Sequence, residues 1–260
     1  MKRVLRGPGP VGQSWSILPE PDPESGLALA LLRLPEGGRW SEQDPEHETA
    51  LLLLQGQATV TIEGRARRAE RAELFRTLGT AWSLPAGVLV EIQAETAVEF
   101  VRVRTRNPRA FEPLQVGPES TFVDRRGEGQ LQDAAFRFVR TYVDDRNGRP
   151  EGRLVLGEVV APQGRWSSYP PHHHAQPEVY HYRFSPAAGF GHAEHGEEVF
   201  KVRHEDTLRI APGHVHAQCA APGYAMYYLW TIRHLEEARY DQPSFDSEHD
   251  WIRGLPKEQS

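Results

Sequence analysis

The chain has 260 residues, a formal net charge of −6 and one cysteine, Cys219. A lone cysteine excludes an intramolecular disulfide framework and a thiolate zinc site. The mild acidic balance, with both signs interspersed, offers no footprint for nucleic acid or an anionic membrane. The first residues are basic and then rich in Gly and Pro, without the apolar stretch of a secretory signal. Runs such as Leu27 to Leu32 fall far short of the roughly 20 residues that cross a bilayer. A cytoplasmic protein with no membrane partner is expected.

In chain order, short runs of alternating apolar residues at 58–62, 88–92 and 98–103 read as strands. The arginine-rich stretch Arg65 to Arg71 reads as a solvated edge, not a binding patch. The segment Arg106 to Pro113 carries prolines that disfavour ladder pairing and is placed as the linker. Further strands are expected at 154–160, 179–184, 207–210 and 226–230. Helical periodicity is scarce, so the expected class is all-β, built of sandwiches or barrels. A loose repeat supports two domains, 1–110 and 111–260. Leu84-Pro-Ala-Gly87-Val-Leu-Val90 in the first half is echoed by Ile210-Ala-Pro-Gly213-His-Val-His216 in the second.

The strongest chemical signal is Pro170-Pro-His172-His-His174-Ala-Gln-Pro-Glu178, followed later by Gly213-His-Val-His216. Alternate residues of an extended strand share a face, so His172 and His174 project together and His173 points away. Glu178 opens the next strand after a short turn through Pro177, and a neighbouring strand returning from Gly213 brings His216. Three imidazoles and a carboxylate suit zinc, iron, manganese, nickel or cobalt, whereas magnesium and calcium prefer oxygen shells. His-x-His-x-x-x-Glu followed by Gly-x-x-His resembles the two metal-binding motifs of the cupin superfamily. The first half lacks the set. Val90 stands where the second motif needs His, and Glu46-His47-Glu48 supplies no imidazole pair. It is read as a structural barrel carrying an exposed relic.

A narrower resemblance rests on Gly157-Glu-Val, Gly164-Arg-Trp-Ser-Ser-Tyr-Pro-Pro-His172, Gly189-Phe-Gly191, Pro222-Gly-Tyr-Ala-Met-Tyr-Tyr-Leu229 and His249-Asp-Trp-Ile252. These stretches resemble the 5-deoxyglucuronate isomerase family of inositol catabolism, related to a uronate ketol-isomerase of pectin breakdown. The resemblance implies a bicupin of two double-stranded β-helix (jelly-roll) barrels. It also implies an aldose–ketose isomerase turning 5-deoxy-D-glucuronate into 5-dehydro-2-deoxy-D-gluconate. One divalent metal per chain, zinc foremost with manganese, iron or nickel as alternatives, would sit on His172, His174, Glu178 and His216. The partners implied are a small sugar acid and further copies of the chain, a homo-oligomer being also the common arrangement. The sequence departs from the family pattern at His173, in the short loop through Pro177 and at His214.

Such an isomerisation moves a proton between adjacent carbons, so the site needs an electrophile for the oxygens and groups that handle the proton. Strand alternation puts Tyr180 and Tyr182 on the face of Glu178, making them the candidate catalytic residues, with His181 and Arg183 facing away. Tyr224, Tyr227 and Tyr228 are as readily core packing. His181 reads as a satisfied structural histidine, and His192, His195 and His204 as solvated. A uronate carboxylate calls for an arginine fork, for which Arg165 and Arg233 lie near the motifs. Two competing readings share the site: an oxygen-dependent cupin dioxygenase and a non-catalytic sugar-binding cupin.

Overall fold

The computed structural model describes residues 2–7, 14–18 and 22–257. Among these residues nearly all regular structure is β, in three sheets of seven, nine and five strands, with short 3-10 turns besides. The all-β reading is therefore correct, and no helix among the described residues is long and apolar enough to cross a membrane. The chain groups into two compact units. One comprises Met1–Pro8, Phe122–Thr141 and Leu156–Ser260; the other comprises Gly9–Thr121 and Tyr142–Val155.

The Gly9–Thr121 unit is organised by one long strand, His47–Ile62, which pairs with Ala81–Leu84, Val98–Arg106, Leu89–Ala94 and Arg65–Arg71 along its length. Alternation decides which side chains turn inward. In Leu89–Ala94 the residues Val90, Ile92 and Ala94 are buried while Leu89, Glu91 and Gln93 are exposed. The inward set joins Leu51, Leu53, Trp82 and Phe100 in one apolar cluster. Each such large side chain contributes about 1.5–3 kcal/mol by leaving water. The Arg65–Arg71 strand is the solvated edge expected of its sequence, except at its end. Arg71 is buried and donates to the carbonyls of Leu53, Leu74 and Thr77.

In the other unit, Thr207–Ile210, Glu178–Ser185 and Ala225–Arg233 are consecutive neighbours in a seven-stranded sheet, followed by Leu154–Ala161, whose residues from Leu156 on belong to this unit. A five-stranded sheet runs Glu198–Arg203, Phe190–His195, His216–Ala220, Trp166–His173, Ser244–Phe245. The two sheets face one another, because Tyr182 donates across to Gln218 and the hydroxyls of Tyr228 and Ser167 meet at 2.7 Å. Leu154–Ala161 is buried on both faces, including Glu158, whose charge is met by Arg140 at 2.9 Å and by the Tyr227 hydroxyl at 3.0 Å. Gly87 and Gly213 both adopt a left-handed backbone, with φ of 84° and 76°. That conformation is nearly free for glycine, which lets each chain reverse into the strand that follows.

Three sequence expectations need correction. Glu48 is not exposed: it is fully buried, accepting from Asn107 Nδ2 at 2.7 Å and from the N–H groups of Arg153 and Leu154. Burial raises its pKa, against the pull of those donors. His47 is half-buried, held by Asp44 at 3.0 Å. His195 is not solvated but buried, stacked on His214 with ring centroids 4.2 Å apart and accepting from the Ala211 N–H. It shares the buried face of Gly191 and Ala193, opposite exposed His192, so strand parity turns it inward once the facing sheet is known.

Candidate metal centre

Trp166–His173 and His216–Ala220 run antiparallel with His172 directly opposite His216. Glu178 begins the adjoining strand and pairs with Ile210, three residues before Gly213. A turn after His173 closes the gap, and Gly213 N–H bonds to the His174 carbonyl at 2.8 Å. These pairings bring His174, Glu178 and His216 together, all buried, with one potential ligand atom from each lying within 4.8 Å of the others. His172 stands beside them, its ring centroid 4.5 Å from that of His216, but outside that set of mutually close atoms.

The tautomers suit a cation. A backbone carbonyl can only accept, so Nδ1 of His216 donates to the His214 oxygen at 3.0 Å and Nδ1 of His172 donates to the Pro170 oxygen at 3.2 Å. In the neutral rings this leaves both Nε2 lone pairs available, with the other nitrogen anchored as metal-ligating histidines usually have it. Nε2 of His216 is buried without a hydrogen-bond partner, 3.4 Å from Glu178 Oε2. Nε2 of His174 lies 3.1 Å from the same oxygen, and its Nδ1 is buried without a partner. Burial, with the neighbouring His216, lowers the His172 pKa to about 3, so this imidazole is neutral at pH 7. Burial would raise Glu178, but the neighbouring His174 and His216 outweigh it and lower the carboxyl to about 2. An ionised carboxylate among three imidazoles, with buried ring nitrogens of His174 and His216 left without hydrogen-bond partners, is a donor set that fits a divalent transition ion.

Below these groups runs a chain of neutral hydrogen-bonding side chains. Tyr182 donates to Gln218 Oε1, and Gln218 Nε2 donates to Ser168 at 3.1 Å. Ser168 Oγ lies 3.2 Å from the Tyr180 hydroxyl and 3.3 Å from that of Tyr228, which also meets Ser167. The Tyr180 ring packs edge-on to His216, with centroids 6.0 Å apart, so the chain reaches the histidine cluster. Burial pushes Tyr180 and Tyr182 well above 10, and Tyr228 upward as well. All three phenols are therefore protonated donors at neutral pH. Ser168 sits at a φ of 52°, within the interruption of strand register between Ser167 and His172.

Both tyrosines chosen from the sequence thus face the same interior as Glu178, and His181 and Arg183 point away, to Thr207 and Glu205. Arg165 is drawn to the Gln132 carbonyl. Sequence reasoning missed Gln218, although it lies two residues beyond His216 on one strand and so shares its face. It also missed Tyr240, whose ring is 5.1 Å from that of His174, and Phe245, 5.8 Å from His172. No local pattern marks those two; they arrive on the C-terminal segment, where Ser244–Phe245 pairs with His172 and His173.

Comparison with known proteins adds the lineage. Residues 11–252 match the model of the KduI/IolB family. The chain belongs to the KduI/IolB family. Among curated relatives, the 5-deoxy-glucuronate isomerase of Geobacillus kaustophilus is 25% identical over 273 residues, covering 97% of this chain and 96% of the relative. The protein of that name from Listeria innocua is 26% identical over 252 residues, covering 88% of each. Membership therefore places the chain among enzymes named as isomerases. Among solved structures, an IolB-like protein of Salmonella typhimurium superposes with a TM-score of 0.87 at 22% identity, covering 97% of this chain and all of that one. Bacillus subtilis oxalate decarboxylase superposes with a TM-score of 0.62 at 16% identity, covering 94% of this chain and 76% of its own. At such identities the structural likeness speaks for the fold alone, and the fold is cupin-like.

Proposed function

We propose that the protein is a metal-dependent aldose–ketose isomerase that converts 5-deoxy-D-glucuronate into 5-dehydro-2-deoxy-D-gluconate, a cytoplasmic step of inositol catabolism. The observation that carries the reading is the near full-length match to relatives bearing the 5-deoxy-glucuronate isomerase name, in a chain whose buried His174, Glu178 and His216 converge. His172, His174, Glu178 and His216 would hold one divalent ion, zinc foremost. When bound there, the ion supplies Lewis-acid stabilisation of negative charge developing on the substrate oxygens.

The chain's own groups account for the rest. Glu178 brings the negative charge that retains a cation among the imidazole rings. Tyr180 and Tyr182, held protonated by burial, act as hydrogen-bond donors rather than as bases, which suits stabilising oxygen charge as the proton leaves carbon. Gln218 and Ser168 fix the direction of those hydroxyls. Tyr240 and Phe245 cover His174 and His172 with aromatic surface, reducing access of water. The working enzyme is expected to be a homo-oligomer.

The test is anaerobic turnover in deuterated water. Zinc-, manganese- or iron-loaded protein should convert 5-deoxyglucuronate into a ketose of the same covalent skeleton without oxygen. If no ketose forms with any of the three ions, while an enolic or aromatic substrate consumes oxygen on the iron form, the site is that of a dioxygenase.

A further inference from the structure

Arg137 opens the strand Arg137–Val143 and is 7% exposed. Two other buried arginines of its unit have carboxylates: Arg140 has Glu158 at 2.9 Å, and Arg183 has Glu205. Arg137 has none within ion-pair distance among the described residues. Its Nη1 donates to the Ala135 carbonyl at 2.8 Å and its Nη2 to the Tyr169 carbonyl at 2.9 Å. Two carbonyl dipoles satisfy two of five N–H donors but leave the charge without a counter-ion. Keeping a lone cation out of water is costly unless an anion arrives to meet it. Burial lowers its pKa to about 10, which still leaves it fully charged at neutral pH.

Its position says which anion. Tyr169 belongs to the irregular stretch between Ser167 and His172, so the guanidinium grips the same piece of backbone that presents Ser168 inward and then delivers His172. Tyr228 and Tyr180 are its electrostatic neighbours, and Tyr180 is at the same time the neighbour of His216. The Tyr169 carbonyl it holds adjoins Ser168, whose hydroxyl lies 3.2 Å from that of Tyr180, and the Tyr180 ring packs edge-on to His216, so the uncompensated cation is tied to the same interior as the histidine cluster. We infer that Arg137 is the anchor for the substrate carboxylate, holding the acid end of a uronate while its carbonyl end meets the His174–Glu178–His216 cluster. This rests on the proposed isomerase reading and supplies the residue that selects acids over neutral sugars. Arg165 and Arg233 are not needed for that role.

The anchor predicts a specific pattern of loss. A charge-assisted, two-pronged contact is worth a tenfold to hundredfold change in affinity. Arg137→Met in the metal-loaded protein should raise KM for 5-deoxyglucuronate about a hundredfold with little change in kcat. It should leave binding of the matching neutral sugar, 5-deoxyglucose, unchanged by calorimetry. Arg137→Lys keeps the charge without the fork and should recover part of the loss; it also serves if the Met variant fails to fold. Equal weakening of acid and neutral sugar, or an unchanged KM for the acid in either folded variant, overturns the anchor and leaves Arg137 a clamp on the Tyr169 backbone. The two readings fail separately. Wild-type protein that makes no ketose removes the isomerase proposal. Calorimetry on that same protein still decides the anchor, by whether it prefers glucuronate to glucose and loses that preference in Arg137→Met while Arg137→Lys keeps part of it.

Discussion

In one unit Glu42 lies opposite Val90, and in the other His172 lies opposite His216. In the adjoining strand pairs, Thr49 faces Leu84 and Glu178 faces Ile210. Leu84 and Ile210 each precede the turn glycine by three residues, and Val90 and His216 each follow it by three. Glu42, Asp44, Thr49 and Val90 therefore occupy the stations of His172, His174, Glu178 and His216, with one extra residue before Thr49. The scaffold is repeated, and what changes is the source of positive charge. Arg104, opposite Thr49, reaches Asp44 at 2.6 Å and Glu42 at 3.2 Å, and Arg102 pairs with Glu42. The residue opposite Glu178 is Ile232, and two positions earlier stands Trp230. One unit meets its carboxylates with built-in guanidinium groups. The other offers a carboxylate and imidazoles, with no arginine or lysine paired to Glu178 among the described residues, and this is why the proposed metal belongs there.

Removing His216 should break this contrast most severely. His216→Ala is expected to lose its metal and to lower turnover more than a hundredfold, since even groups behind a ligand are worth tenfold to a hundredfold. The melting temperature of the metal-free protein should be nearly unchanged, because apolar strand faces form the core. A variant that does not fold would make the site structural.

The corresponding lesion in the other unit is Arg104→Met, which leaves Glu42 and Asp44 short of charge. Breaking one side of a largely buried pair costs about 3 kcal/mol, and urea unfolding should show it as a lower midpoint with the metal retained. Gln218→Leu is expected to be milder. It should cost about 1 kcal/mol in stability for the lost hydrogen bonds and reduce kcat by about tenfold with metal content intact, measured by steady-state kinetics beside elemental analysis. Smallest of all is Glu46→Ala. Glu46 is exposed, its nearest cation Arg106 at 3.9 Å, and stability by urea unfolding should move by less than about 0.5 kcal/mol. A large effect there would restore a role to the Glu46-His47-Glu48 stretch that its geometry denies.

The candidate metal site is legible because strand parity turns local spacing into geometry: His172 and His174, Glu178 and the residue after Gly213-x-x need only neighbouring strands. Tyr180 and Tyr182 follow from the same parity. The counterpart in the other unit was not legible, because the residue inserted before Thr49 shifts the spacing and made Glu46-His47-Glu48 look like the relic. Only strand register reveals Glu42 and Asp44. Glu48 reads as exposed for a related reason, since its partners Asn107, Arg153 and Leu154 are distant in sequence. Tyr240 and Phe245 reach the site through tertiary packing alone, and nothing in their flanking residues announces it.

The contrast between the units comes down to a count. Native mass spectrometry of the purified, zinc-supplemented protein, with elemental analysis of the same sample, should give one metal ion per chain in the wild type and in Arg102→Lys, and none in His216→Ala. Two ions per chain in the wild type, or one retained after loss of His216, would contradict the assignment of the metal to the His172, His174, Glu178 and His216 site.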